Sequence, residues 1–169
     1  MRRLLAALVA AGVAVAACGD DDAGGGDGPV RPAIELIEPA IAAVEAELGG
    51  PQDFFEVTAE PQRVRLWVAR EEATRAVPYV YVGGELARLG DPQGAEGGTF
   101  PGAAVDVDPD AVLDVIDDEL DEPDVILFSI AGDGSGAVQY QATVRSDKGG
   151  TLDVVVAGDG TILSVTAGA

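Results

Sequence analysis

Apolar residues at Ile34, Ile37, Ile41, Val44 and Leu48 recur at the three-and-four spacing of one helical face, while Glu35, Glu38, Glu45 and Glu47 fill the other. The pattern predicts a helix over Ala33–Leu48. Gly49-Gly50-Pro51 ends it, since glycine accepts the left-handed cap and proline cannot continue the helix. The period then changes from helical to extended. Runs rich in β-branched and aromatic residues cover 54–59, 62–70 and 76–82, and a Gly83-Gly84 turn leads into 85–89. A second helical stripe, Val112, Leu113, Ile116 and Leu120, comes after Asp108-Pro109-Asp110, the signature of a capped helix start, and Pro123 stops it. Extended runs return at 125–131, 137–145 and 151–157. Gly158-Asp159-Gly160 then turns the chain into 161–165.

The same order of elements is therefore written twice. Adding 72 carries Ile41, Val44 and Leu48 onto Leu113, Ile116 and Leu120; adding 75 carries Val77, Tyr79, Tyr81 and Gly83 onto Leu152, Val154, Val156 and Gly158. The drift of three residues falls in turns, where insertions are tolerated. The expected fold is α+β: two tandem α-β-β-β(β) repeats, with helices packed on one face of an antiparallel sheet. Residues 32–90 form the first repeat, 91–104 a connection rich in glycine and proline, and 105–169 the second repeat.

Ahead of the repeats stands a different pattern. Arg2 and Arg3 precede an apolar run, Leu4–Ala17, of 14 residues, too short for the roughly 20 that a membrane-spanning helix needs. Small residues Val15, Ala16 and Ala17 then lead to Cys18, the only cysteine. The segment 1–17 resembles the signal peptide of bacterial lipoproteins, with its lipobox. The resemblance implies that Cys18 is diacylglycerated and becomes the mature N-terminus, a two-chain anchor to a bacterial membrane on its extracytoplasmic side. Residues 18–31, mostly glycine and aspartate, read as a flexible acidic tether.

Charge narrows the partners. Thirty acids against ten bases give a net charge of −20, and loss of Arg2 and Arg3 with the signal would take it to about −22. Such a surface repels polyphosphates, so nucleic acid is not an expected partner. With Cys18 committed to lipid no internal disulfide can form, and stability must come from an apolar core.

The second repeat carries a further likeness. Pro109–Val165 resembles the PepSY domain, a small helix-on-sheet module of secreted and membrane-anchored bacterial proteins. The residues that carry it are the strand Val138-Gln139-Tyr140-Gln141-Ala142-Thr143-Val144-Arg145, then Thr151-Leu152-Asp153-Val154-Val155-Val156, and the turn Gly158-Asp159-Gly160 into Thr161-Ile162-Leu163. The turn is shorter than is usual in that family. A tandem of helix-plus-sheet repeats is also similar in architecture to the secreted β-lactamase inhibitor proteins. These resemblances imply an interaction module acting on an exported protein, such as a protease or a cell-wall enzyme. Fold likeness alone does not assign that role.

Catalytic and cofactor chemistry is poorly supplied. The chain has no histidine, which removes a Ser-His-Asp arrangement, a histidine base and the commonest metal ligand together. No cofactor is expected. Asp106-x-Asp108-x-Asp110 opens like an EF-hand loop, but Ala111 and Asp117 stand where that loop needs glycine and glutamate. Asp108 as a helix cap is the simpler reading, with a weak cation site at Asp106, Asp108 and Asp110 as the alternative. Gly132-Asp133-Gly134-Ser135-Gly136 joins two strands with no helix behind it and no lysine within it, so it reads as a mobile hairpin loop rather than a phosphate cradle.

Alternation along 63–68 puts Val64, Leu66 and Val68 on one face and Arg63, Arg65 and Trp67 on the other. Pairing with the next strand would turn Tyr79 and Tyr81 inward and set Val80 and Val82 beside the tryptophan; Gln139 and Gln141 are the matching outer positions of the second repeat. Tryptophan and arginine dominate binding hot spots, so this face is the candidate partner surface. Two other fates are open to Trp67: cover by the 90–102 connection, or a reversed parity that makes it core. The expected function is a non-enzymatic, lipid-anchored interaction module that binds or inhibits an exported enzyme. A structural acidic envelope lipoprotein with weak cation binding is the alternative, and a carboxylate-dependent hydrolase comes last.

Overall fold

A computed structural model describes residues 31–120, 123–145 and 149–168. A short 3₁₀ turn, Ile34–Leu36, leads into α1, Ile37–Leu48. Gly49 takes the left-handed cap at φ 80°, and the Gly50 amide donates back to the Glu45 carbonyl at 2.9 Å, which closes the helix. The chain then runs through β1 (Asp53–Glu60), β2 (Arg63–Arg70), β3 (Arg75–Val82) and β4 (Glu85–Arg88). Two short strands come next, β5 (Gln93–Gly94) and β6 (Phe100–Pro101), then α2 (Pro109–Glu119). The last four strands are β7 (Asp124–Gly132), β8 (Val138–Arg145), β9 (Thr151–Val156) and β10 (Ile162–Ala167).

The molecule is α+β, with two helices and a single antiparallel sheet of ten strands. Eight lie in the order β10-β9-β8-β7-β1-β2-β3-β4, while β5 pairs with β3 and β6 with β1. Two meanders thus meet through their first strands. At that seam Val57 faces Ile130, Thr58 faces Ser129 and Ala59 faces Phe128. Both seam strands carry a bulge, at Phe55 in β1 and at Ile126 in β7.

One face of the sheet supplies the core. Val64, Leu66 and Val68 of β2 are fully buried, as are Ala142 of β8 and Val154 of β9 at alternating positions. Ile37, Ala40, Ile41 and Val44 of α1 and Val112 and Ile116 of α2 belong to the same cluster. Phe54, Phe100 and Phe128 are its largest fully buried side chains, each worth roughly 1.5–3 kcal/mol by removal from water. The Phe54 and Phe100 rings lie 6.0 Å apart, so β6 ties the connection between the meanders to the core.

Two devices set the approach to α2. The Tyr140 hydroxyl accepts from the Asp106 amide at 2.9 Å and donates to the Asp106 carbonyl at 3.1 Å, while its ring stacks on Phe128. The Asp108 carboxylate then accepts from the amides of Asp110 and Ala111, with Pro109 opening the helix, as its sequence predicts. Burial of the Tyr140 phenol pushes its ionisation above the usual tyrosine range. Among the described residues no helix is long and apolar enough to cross a membrane.

Candidate functional site

The strand parity read from the sequence places Trp67 outward, and the 90–102 connection covers part of it. Trp67 faces Pro78 on β3 and Glu56 on β1, all on the sheet face opposite the core. Pro78 fits there because its carbonyl, and hence the side where its missing amide would donate, points to the edge taken up by the connection; that carbonyl accepts from the Leu89 amide at 2.9 Å. From Leu89 the chain crosses the end of the sheet as a strap. Arg75 Nη2 donates to the Pro92 carbonyl at 2.6 Å, β5 pairs with Arg75 and Ala76, and the Ala95 amide donates to the Thr74 carbonyl. An isolated bridge, Gly98 to Gly132, fastens the far side.

Beneath the strap lies a cavity of about 430 Å³, with Trp67, Phe55 and Glu56 on its floor and Gln93–Gly98 as its roof. The Glu56 carboxylate accepts a hydrogen bond from the Thr58 hydroxyl. Four residues on, the Glu60 carboxylate takes both outward arginines: Arg63 Nε donates at 2.7 Å, and Arg65 Nε lies in an ion pair at 2.8 Å. The two arginines of the candidate surface therefore share one carboxylate within the sheet, which leaves one positive charge over, in half-exposed pairs that contribute little to stability.

The other surface residues fall where the register puts them. Val80 pairs with Arg65 and Val82 with Arg63 on the same face, and Val82 is 47% exposed. Tyr79 is buried on the core side and Tyr81 packs against the core. Gln139 and Gln141 share the outer face but sit on β8, with β1 and β7 between them and β2. Three strand spacings of about 4.8 Å separate them from the tryptophan by roughly 14 Å. They are not part of one compact patch with it. Phe55, Glu56 and the strap are site residues that the sequence does not reveal. Counting back from Val57, simple alternation would bury Phe55 and expose Phe54; the bulge reverses the two.

The acidic candidates lie elsewhere. Asp106 and Asp108 line a second cavity of about 710 Å³ with Asp159 and Tyr140, and Asp110 is not among its walls. The Asp108 carboxylate is occupied as the cap of α2. Among the described residues no three His, Cys, Asp or Glu side chains come together in a way that could hold a metal ion. The Gly132–Gly136 segment is a hairpin loop, more organised than its glycines suggest. The Asp133 carboxylate accepts from the Ser135 amide at 2.7 Å, the Ser135 hydroxyl at 2.8 Å and the Ala137 amide at 3.2 Å, and these bonds, led by the Ser135 amide, hold it below the ordinary aspartate range. Cys18 and the tether up to Val30 lie outside the described residues.

In comparisons with known proteins the chain matches no family model, no curated protein and no solved structure.

Proposed function

We propose that this chain is a non-enzymatic interaction module, anchored by lipid at Cys18 on the extracytoplasmic side of a bacterial membrane, that binds an exported protein through the outer face of its sheet. The observation that carries this reading is the β2–β3 surface. There half-buried Trp67 and Val80 and exposed Val82 form an apolar strip beside two arginines that share the Glu60 carboxylate. On a chain of net charge −20, such a strip is an interface core with a polar rim. The anchor rests on the sequence 1–18, and a tether of glycine and aspartate would let the domain search the space around it.

The architecture belongs to the same proposal: two tandem repeats, each a helix and a four-stranded meander, with both helices on the core face. Register supports it. A shift of 71 turns Val57, Thr58 and Ala59 into Phe128, Ser129 and Ile130, so the seam pairs Val57–Ile130 and Ala59–Phe128 map onto each other and Thr58–Ser129 onto itself. That is what a two-fold axis through the seam requires. Within the meanders, Val68–Val77, Leu66–Tyr79 and Val64–Tyr81 correspond to Val144–Leu152, Ala142–Val154 and Tyr140–Val156. The PepSY-like reading of the second repeat rests on the strands and glycine turn that carry that resemblance.

Affinity capture with the lipidated full chain tests the function. A Val80→Ser/Val82→Ser variant should lose the partner that the natural chain retains, by about tenfold or more in affinity. Identical partners in identical yield would instead favour a structural envelope role. Cys18→Ala should move the protein out of the membrane fraction.

A further inference from the structure

The cavity under the strap has a chemistry of its own. Its floor sets an indole and a carboxylate directly opposite each other on neighbouring strands, Trp67 against Glu56, with the Phe55 ring beside them. Side chains so paired stand about 5 Å apart at Cβ, which lets one small group touch both. Among the described residues Glu56 has the Thr58 hydroxyl as its hydrogen-bond donor and no ion pair, whereas Glu60 on the same strand takes two arginines. Arg65, the outward arginine next along β2 from Trp67, is paired with Glu60 at 2.8 Å. None of the lining residues is a lysine or an arginine. An aromatic face and an unneutralised carboxylate in one recess, on a molecule of net charge −20, attract a cation and give it a surface to lie on.

We propose that this cavity seats an arginine or lysine side chain of the polypeptide partner, its cation against the face of Trp67 and its N–H groups donating to Glu56. The assignment rests on the sheet-face reading and names the partner's anchoring chemistry. A volume of about 430 Å³ holds one such side chain with neighbouring backbone. The apolar stem of the side chain would pack on Phe55, and the planar guanidinium of arginine suits the indole better than a compact ammonium does.

Trp67 is the only tryptophan, so its emission reports on this cavity without labelling. The full chain in detergent is titrated with acetyl-Gly-Arg-Gly-amide, with its Gln counterpart and with methylguanidinium, at constant ionic strength. A saturable change with the arginine peptide is expected, weaker by about tenfold or more for the glutamine peptide and for Glu56→Gln. Thermal unfolding checks that Glu56→Gln folds, and calorimetry on Trp67→Leu, expected to lose the same binding, reads the site without fluorescence. The proposal is overturned by no saturable response, by equal binding of the glutamine peptide, or by full binding to Glu56→Gln. Methylguanidinium binding as tightly as the peptide would overturn the assignment to a polypeptide side chain. If these fail while Val80→Ser/Val82→Ser still abolishes capture, the cavity assignment falls and the sheet-face reading stands.

Discussion

Individual residues in this chain are placed by parity and by local backbone cost. Trp67 faces outward because Val64, Leu66 and Val68 are drawn into the core, and a strand has only two faces. Backbone cost shows at the β2–β3 turn, where Glu71, Glu72 and Ala73 have φ of 51°, 56° and 60° in succession. A non-glycine residue in that left-handed region costs roughly 1–2 kcal/mol. Glu72→Gly should therefore stabilise the protein by about 1 kcal/mol, a rise of a few degrees in Tm, even after the extra freedom of glycine in the unfolded chain. Glu72→Gln removes the same charge and keeps the strain. If differential scanning calorimetry finds the two variants equal, charge and not backbone conformation is responsible.

Among the elements, the strap between the meanders changes most in meaning between sequence and structure. Residues 90–102 read as a connection because glycine and proline interrupt every period, and no propensity announces β5 or β6. Their pairing comes from the sheet: β4 covers only half the outer edge of β3, and β7 leaves the start of β1 open, so two short stretches of backbone find partners there. The far end of the strap depends on close approach. A Cβ on Gly98 would lie 2.3 Å from the Gly134 nitrogen and 2.8 Å from the Gly132 carbonyl oxygen, both backbone atoms that cannot swing aside. Gly98→Ala should lift the strap, shift Trp67 emission to longer wavelength and speed its quenching by acrylamide. An unchanged spectrum would mean that the strap is not what shields the indole.

Across the whole molecule, charge works against compaction. The chain, with a net charge of −20, is self-repelling, and few of the acids are paired: Asp117 with Arg31, Glu60 with Arg63 and Arg65, and Asp124 with Arg145, among the described residues. Salt screens repulsion between exposed charges beyond about 10 Å at 0.1 M, while these four exposed pairs lose little. The unfolding temperature should therefore rise by several degrees between about 0.01 and 0.5 M sodium chloride. A fall would show that the ion pairs outweigh the repulsion.

Hydrophobic period and turn chemistry are local properties, and the features they govern can be read from the chain alone. The two helices, the eight main strands, the Asp108 cap, the glycine C-cap and the inward set Val64, Leu66, Val68 and Tyr79 are all legible there. Pairing between distant segments is not local, and the features that depend on it emerge only in the folded molecule. The seam of β1 with β7, the bulge that exchanges Phe54 and Phe55, the capture of both outward arginines by Glu60, and the strap that walls an open recess over Trp67 and Glu56 are of that kind. A strand's own pattern says which side chains share a face. It does not say which strand lies beside it, and the candidate site is made of neighbours.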